Sequence, residues 1–167
     1  MIMEFLTIVT LWVAAISCGL MAGVYFSFSI FVMRALAKIE AASAIAAMQS
    51  INKVIVSSAF LPLFFGSTLA SLILTGTLLS GQGTGGTLYA AVGGFLYFTG
   101  MTICTMVFNV PLNNRLAVLH PETREATVFW RSYLQRWTRL NHVRTASSTL
   151  ATLLFIAAIT AAEHPLN

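Results

Sequence analysis

The chain has 167 residues, 57% of them apolar and only 8% charged, with a mean hydropathy of +0.84. That length suits one domain over residues 1–167, and the balance excludes an ordinary soluble globule, in which about a quarter of residues are charged. The formal net charge of +4 reads as a membrane-topology signal and gives no reason to invoke a nucleic acid.

The first segment, Phe5 to Met33, carries no charged residue. It is too long for the core of a signal peptide and is read as a retained span. A basic connection follows, with Arg34, Lys38 and Lys53. Ser43 to Lys53 is helical in character and is expected to run straight into a second span from Val54, with Pro62 and Gly66 permitting a kink. The uncharged stretch Val54 to Asn114 is twice the length of one crossing. Its glycine cluster, Ser80 to Gly86, favours a turn, so two spans are predicted here, 54–79 and 87–112.

Pro121 suits a first helical position, and Glu122 and Glu125 suit the positive end of a helix dipole. No Gly or Pro occurs from Glu122 to His164, so one helix of ~64 Å is expected, at 1.5 Å per residue. Its last part, 141–162, makes the fourth span, and Trp130, Leu134, Trp137 and Asn141 recur at steps of four and three along one face, with Val128 two residues ahead placed on it as well. Arg115, Arg124, Arg131, Arg136, Arg139 and Arg144 complete the basic set, so every Lys and Arg lies in two of the connections. By the positive-inside rule both connections are cytoplasmic and both termini are not. The expected fold is an all-α membrane four-helix bundle, single-domain, with helices 2 and 4 extended on the cytoplasmic side. A bacterial inner membrane is the expected location.

This topology gathers polar residues at one level. Tyr25, Phe28, Ser29 and Arg34 end the first span; Gln49, Asn52 and Lys53 begin the second; Asn109 and Asn113 end the third; Trp137, Asn141, His142 and Arg144 open the fourth. Asn109 and Asn113 share a face if the helix survives Pro111. Buried amides and a cation are costly unless they serve each other or a ligand, so the set is read as an aromatic-walled pocket near the cytoplasmic boundary. The plainer alternative is that Arg144 snorkels, Trp137 belongs to the aromatic belt and the asparagines cap or join helices. His142 is the one histidine in the set, with an imidazole suited to base catalysis, or to haem if a partner ligand exists. No metal site is predicted: the spans contain no carboxylate and the chain contains no Asp. Cys18 and Cys104 are expected to be free, inert thiols. Small-residue patterns at Gly19 to Gly23 and Ala90 to Gly94 leave packing within one bundle or in a homo-oligomer open.

The segments GVYFSFSIFVMRAL (Gly23 to Leu36), AAMQSIN (Ala46 to Asn52), FNVPLNNRLA (Phe108 to Ala117) and W-x-x-x-N-H-V-R-T (Trp137 to Thr145) occur in this order. Together they resemble the anthrone oxygenase family of small membrane proteins, over nearly the whole chain. The resemblance implies oxidation of an anthrone to an anthraquinone, or of another lipophilic aromatic or quinone-like substrate, with dioxygen and that small molecule as partners in the bilayer; no cofactor is predicted. For that reaction His142 is assigned as base, with Asn109, Asn113 and Arg144 as donors. Tyr25, Phe28 and Trp137 form walls, and Gln49, Asn52 and Asn141 complete the substrate-binding set. A haem- or other cofactor-binding bundle and a non-enzymatic lipophile- or partner-binding protein are the alternatives.

Overall fold

The computed structural model describes residues 2–79 and 86–163; the predicted glycine turn falls mostly outside them. Among the described residues the chain is entirely helical. We number five helices: α1 Ile2–Leu36, α2 Ala41–Ile55, α3 Phe60–Leu79, α4 Thr87–Ala117 and α5 Arg124–Glu163. Four of them, all but α2, are long and apolar enough to cross a membrane. Their outward side chains, among them Leu20, Phe31, Leu69, Phe95 and Leu153, are exposed aliphatic and aromatic groups, as lipid contact requires.

The expected continuous second helix is two helices. Pro62 would set its ring against the carbonyl of Ser58 in a helix running through from α2. In place of that run, the Ser57 and Ser58 hydroxyls donate to the carbonyls of Val54 and Ile55, and Ser58 Oγ caps the N–H of Phe60. Pro62 then lies in the first turn of α3, where a missing N–H costs nothing, so it marks the start of the span and not a kink within it. α2 starts cleanly because the Glu40 carboxylate accepts from the backbone N–H groups of Ala42 and Ser43 at 3.0 and 2.9 Å. Those two bonds hold the Glu40 carboxyl below its ordinary pKa.

Two hydrophobic cores result. The membrane core joins α1, α3, α4 and α5 through Leu11, Met21, Phe64, Leu74, Tyr97, Met101 and Phe155. Small residues on α4 allow close approach there. A Cβ at Gly94 would run into the Ser71 carbonyl of α3, one at Gly100 into the Ser147 side chain of α5, and one at Gly86 into the Ala158 carbonyl. The Gly94 pattern therefore packs helices within one bundle. Gly19 rests against Thr152, while Gly23 meets nothing.

The second core lies at the basic end, where α2 crosses the first half of α5 and the ends of α1 and α4. Met33, Ile45, Met48, Leu116, Trp130, Tyr133 and Trp137 are its larger members. Trp130, Tyr133 and Trp137 form a stacked ladder with centroids 5.4 and 6.2 Å apart. The buried stripe of α5 runs Ala126, Trp130, Tyr133, Trp137, Asn141, Arg144, Ser148, Ala151 and Phe155, the steps of three and four that keep one helix face inward. Val128 and Leu134, placed on that face by sequence periodicity, lie off it: Val128 is exposed and Leu134 half-buried.

Candidate functional site

Between the two cores the helices widen. α1 makes a π-helical turn over Phe28–Val32, and α4 makes two, Phe98–Ile103 and Thr105–Asn109. Such turns occur often at functional sites. Here they re-aim Phe28, Ser29, Thr105 and Asn109. The wider turn also lets α4 run on through Pro111, whose ring would otherwise press on a carbonyl four residues back, so Asn109 and Asn113 stay on one helix.

Arg144 is the centre of this layer. It is 4% exposed, and no carboxylate lines the cavity beside it. Its Nη2 donates to Asn141 Oδ1 at 2.7 Å. Asn141 Nδ2 in turn donates to the Tyr25 carbonyl at 2.6 Å and to Ser29 Oγ at 2.7 Å, and Ser29 meets the Thr145 hydroxyl at 3.1 Å. The guanidinium lies over the rings of Tyr25 and Trp137, 4.4 and 4.8 Å from their centroids. One amide oxygen, two ring faces and the neighbouring Tyr25 hydroxyl are a thin cradle for a desolvated cation, and Arg144 Nε has no hydrogen-bond partner.

A cavity of about 250 Å³ opens in front of Arg144. That is near the ~300 Å³ lower end of small-molecule sites. Its walls are Tyr25 and Phe28 from α1, Met48 and Asn52 from α2, Phe60 and Phe64 from α3, Thr105 from α4 and Trp137 from α5. Asn113 Oδ1 faces the same space and accepts from Tyr133 Oη at 2.8 Å and Trp137 Nε1 at 2.9 Å. Asn52 Nδ2 is buried beside the Tyr133 hydroxyl yet out of hydrogen-bonding geometry. The unmet polar atoms at this cavity, Arg144 Nε and Asn52 Nδ2, are both donors, which suits a ligand rich in acceptor oxygen.

The mouth is lateral. Val56 in the connection between α2 and α3, Phe65 on α3 and Met106 on α4 line the cavity and are exposed. Toward the Leu79 end of α3 and the Thr87 end of α4 these helices are held together by Ser67 to Tyr97 at 2.7 Å and Thr68 to Thr102 at 2.9 Å. Past Thr102 they part.

Of the residues singled out from sequence, Tyr25, Phe28, Asn52, Asn113, Trp137 and Arg144 line the cavity. Asn141 and Asn109 are fully buried behind it. Asn141 positions Arg144. Asn109 takes a weak Cys104 thiol bond on Oδ1 and reaches the Trp137 carbonyl through Nδ2 at 3.5 Å. Gln49 is turned away: its Nε2 donates to the carbonyls of Leu116 and Leu119 at 2.8 Å and closes the end of α4.

His142 falls outside the site. It is two residues from Arg144, ~200° around the helix, and is exposed on a separate groove with Arg34 and Arg139. The assignment of His142 as base, or as a haem ligand within the aromatic pocket, therefore has no geometric support. Among the described residues no group of three His, Cys, Asp or Glu side chains could hold a metal ion. Phe60 and Phe64, four apart and with centroids 6.1 Å apart, were not picked out from sequence as walls. Their i, i+4 spacing was the available signal.

The family model for anthrone oxygenases matches residues 48–154. No curated protein and no solved structure matches the chain. The matched region runs from Met48 through Arg144 and holds the α2 to α5 walls of the cavity, while Tyr25 and Phe28 on α1 lie before it. With more than half of the chain matched, the protein belongs to the anthrone oxygenase family.

Proposed function

We propose that this protein is a membrane-embedded, oxygen-dependent oxidoreductase. Its substrate is a lipophilic aromatic compound with an acidic methylene or phenol-like group, of the anthrone kind. The observation that supports this most is Arg144: a desolvated cation with no carboxylate among the described residues that line its cavity, an aromatic space that opens sideways to lipid. An anion delocalised over fused rings is the natural complement to that arrangement.

The chemistry follows from the substrate's own electrons. Loss of one methylene proton gives an anion whose negative charge rests largely on the ketone oxygen. Arg144 Nε is the spare donor for that oxygen, and a preorganised donor in a dry site stabilises developing charge strongly. The cavity lining offers no His, Asp or Glu, so the proton leaves to solvent water and the cation lowers the substrate's pKa without a protein base. Dioxygen then adds at the former methylene carbon. The resulting hydroperoxide loses water and leaves a second carbonyl. Overall, the CH2 group and O2 become C=O and H2O, with the substrate oxidised by four electrons and dioxygen fully reduced. Tyr25, Phe28, Phe60, Phe64 and Trp137 hold the flat body, and Asn52 Nδ2 is a second donor for a ring oxygen. The basic end faces the cytoplasm of a bacterial inner membrane.

Oxygen uptake by the detergent-purified protein with anthrone tests the proposal. The expected result is one O2 consumed per anthraquinone formed, well above autoxidation in the same detergent. A rate equal to autoxidation would overturn it.

A further inference from the structure

The groove that holds His142 lies on the outer side of α1 and α5, at the same level as Arg144 but facing away from it. It encloses about 290 Å³. Arg34 from the last turns of α1 and Arg139 from α5 both line it and are exposed. Thr138 and Gln135 add hydroxyl and amide donors, Met33 and Leu134 supply an apolar floor, and no acidic residue is present. The two arginines come from different helices, so the positive charge converges on one place and is not a feature of one solvated face.

The geometry points to this groove as a binding site for the phosphate of an anionic phospholipid. Two guanidinium groups are suited to a phosphate, each able to give paired N–H bonds. Basic pockets between helices at the end of a span are where such headgroups seat. The apolar floor and the position at the ends of two membrane helices select a lipid over a soluble phosphate ester, because an acyl chain can continue along the exposed apolar surface of α1 at Ile30 and Phe31. The Ser29 side chain is shared between the two sites: it lines this groove and accepts from Asn141, which holds Arg144. A lipid here would brace the wall behind the cation without entering the cavity.

The test is the thermal stability of the full chain in detergent, titrated with phosphatidylglycerol, phosphatidylcholine or soluble glycerol phosphate. The wild type is expected to be stabilised by phosphatidylglycerol well beyond phosphatidylcholine, and not by glycerol phosphate. Arg34→Gln and Arg139→Gln each remove an exposed side chain outside both cores, and each should weaken the phosphatidylglycerol response about 5-fold. Arg124→Gln and Arg131→Gln make the same charge change away from the groove and should leave it as in the wild type. Equal losses in the two pairs would overturn the proposal in favour of diffuse charge attraction. Equal stabilisation by both lipids, or by glycerol phosphate alone, would overturn it as well.

Discussion

The two ends of the bundle are built on opposite principles. Toward the start of α4, α3, α4 and α5 approach through Gly86, Gly94, Ser71 and Ser147, and hydroxyls bridge the helices. At the basic end the helices are held apart by Trp130, Tyr133, Trp137, Phe28 and Met48, with α2 laid across them. Small residues make a rigid frame with no room for a guest; large aromatics leave a gap that packing cannot close. The cavity sits at the junction, where π-helical turns take up the mismatch. The tight end fixes the helix positions, and the open end carries the cost of a buried cation.

The sharpest way to break this contrast is at Arg144. Arg144→Met should lower turnover of an anthrone by ~10²–10³-fold, the worth of one preorganised oxyanion donor. It should leave thermal stability equal or higher, because an apolar side chain of similar length removes a desolvation cost. Oxygen uptake and a melting curve on the same preparation check both halves. Gly94→Val should do the reverse. Its Cβ alone meets the Ser71 carbonyl and the Thr75 hydroxyl, so it should cost about 2–3 kcal/mol of stability, seen as a lowered melting midpoint, while any folded fraction keeps its substrate affinity.

Smaller effects sharpen the basic end. Gln49→Leu frees the carbonyls of Leu116 and Leu119 and should cost about 1–2 kcal/mol, with faster proteolysis between α4 and α5 as the readout. Trp137→Phe removes one of the two donors to Asn113 Oδ1 but keeps the ring over Arg144, so substrate affinity should fall by about 5-fold. The smallest effect belongs to Glu40. Its carboxyl is held below the ordinary value of 4.5 by backbone bonds, so its contribution to α2 is present above that pH and is lost as the pH falls through the lowered value. Glu40→Gln should flatten that part of the stability profile in an acid titration.

Much of the frame was legible in the sequence because membrane spans are coarse, additive signals. The uncharged runs marked the membrane helices, and the absence of Gly and Pro after Pro121 marked the length of α5. The break before Phe60 was missed because SAIAAMQSINK has good helix propensity, whereas the interruption depends on one proline meeting a carbonyl four residues earlier. The cluster around Arg144 was legible in depth but not in direction. Depth follows from position along a span; direction follows from helix phase, and one step of two residues sends His142 to the outside while Arg144 points in. Gln49 shows the same limit, since an amide at the right level can close a helix end as readily as it can face a ligand. The π-helical turns that re-aim Phe28 and Asn109 left no compositional mark.

The most direct test of the central claim is the ionisation of a bound anthrone, followed by absorbance under anaerobic conditions across a pH series. The coloured anion should appear at lower pH when bound to the wild-type protein than when free in the same detergent, and Arg144→Met should abolish that shift. An anion that forms at the same or higher pH on the wild-type protein would contradict the role given to Arg144.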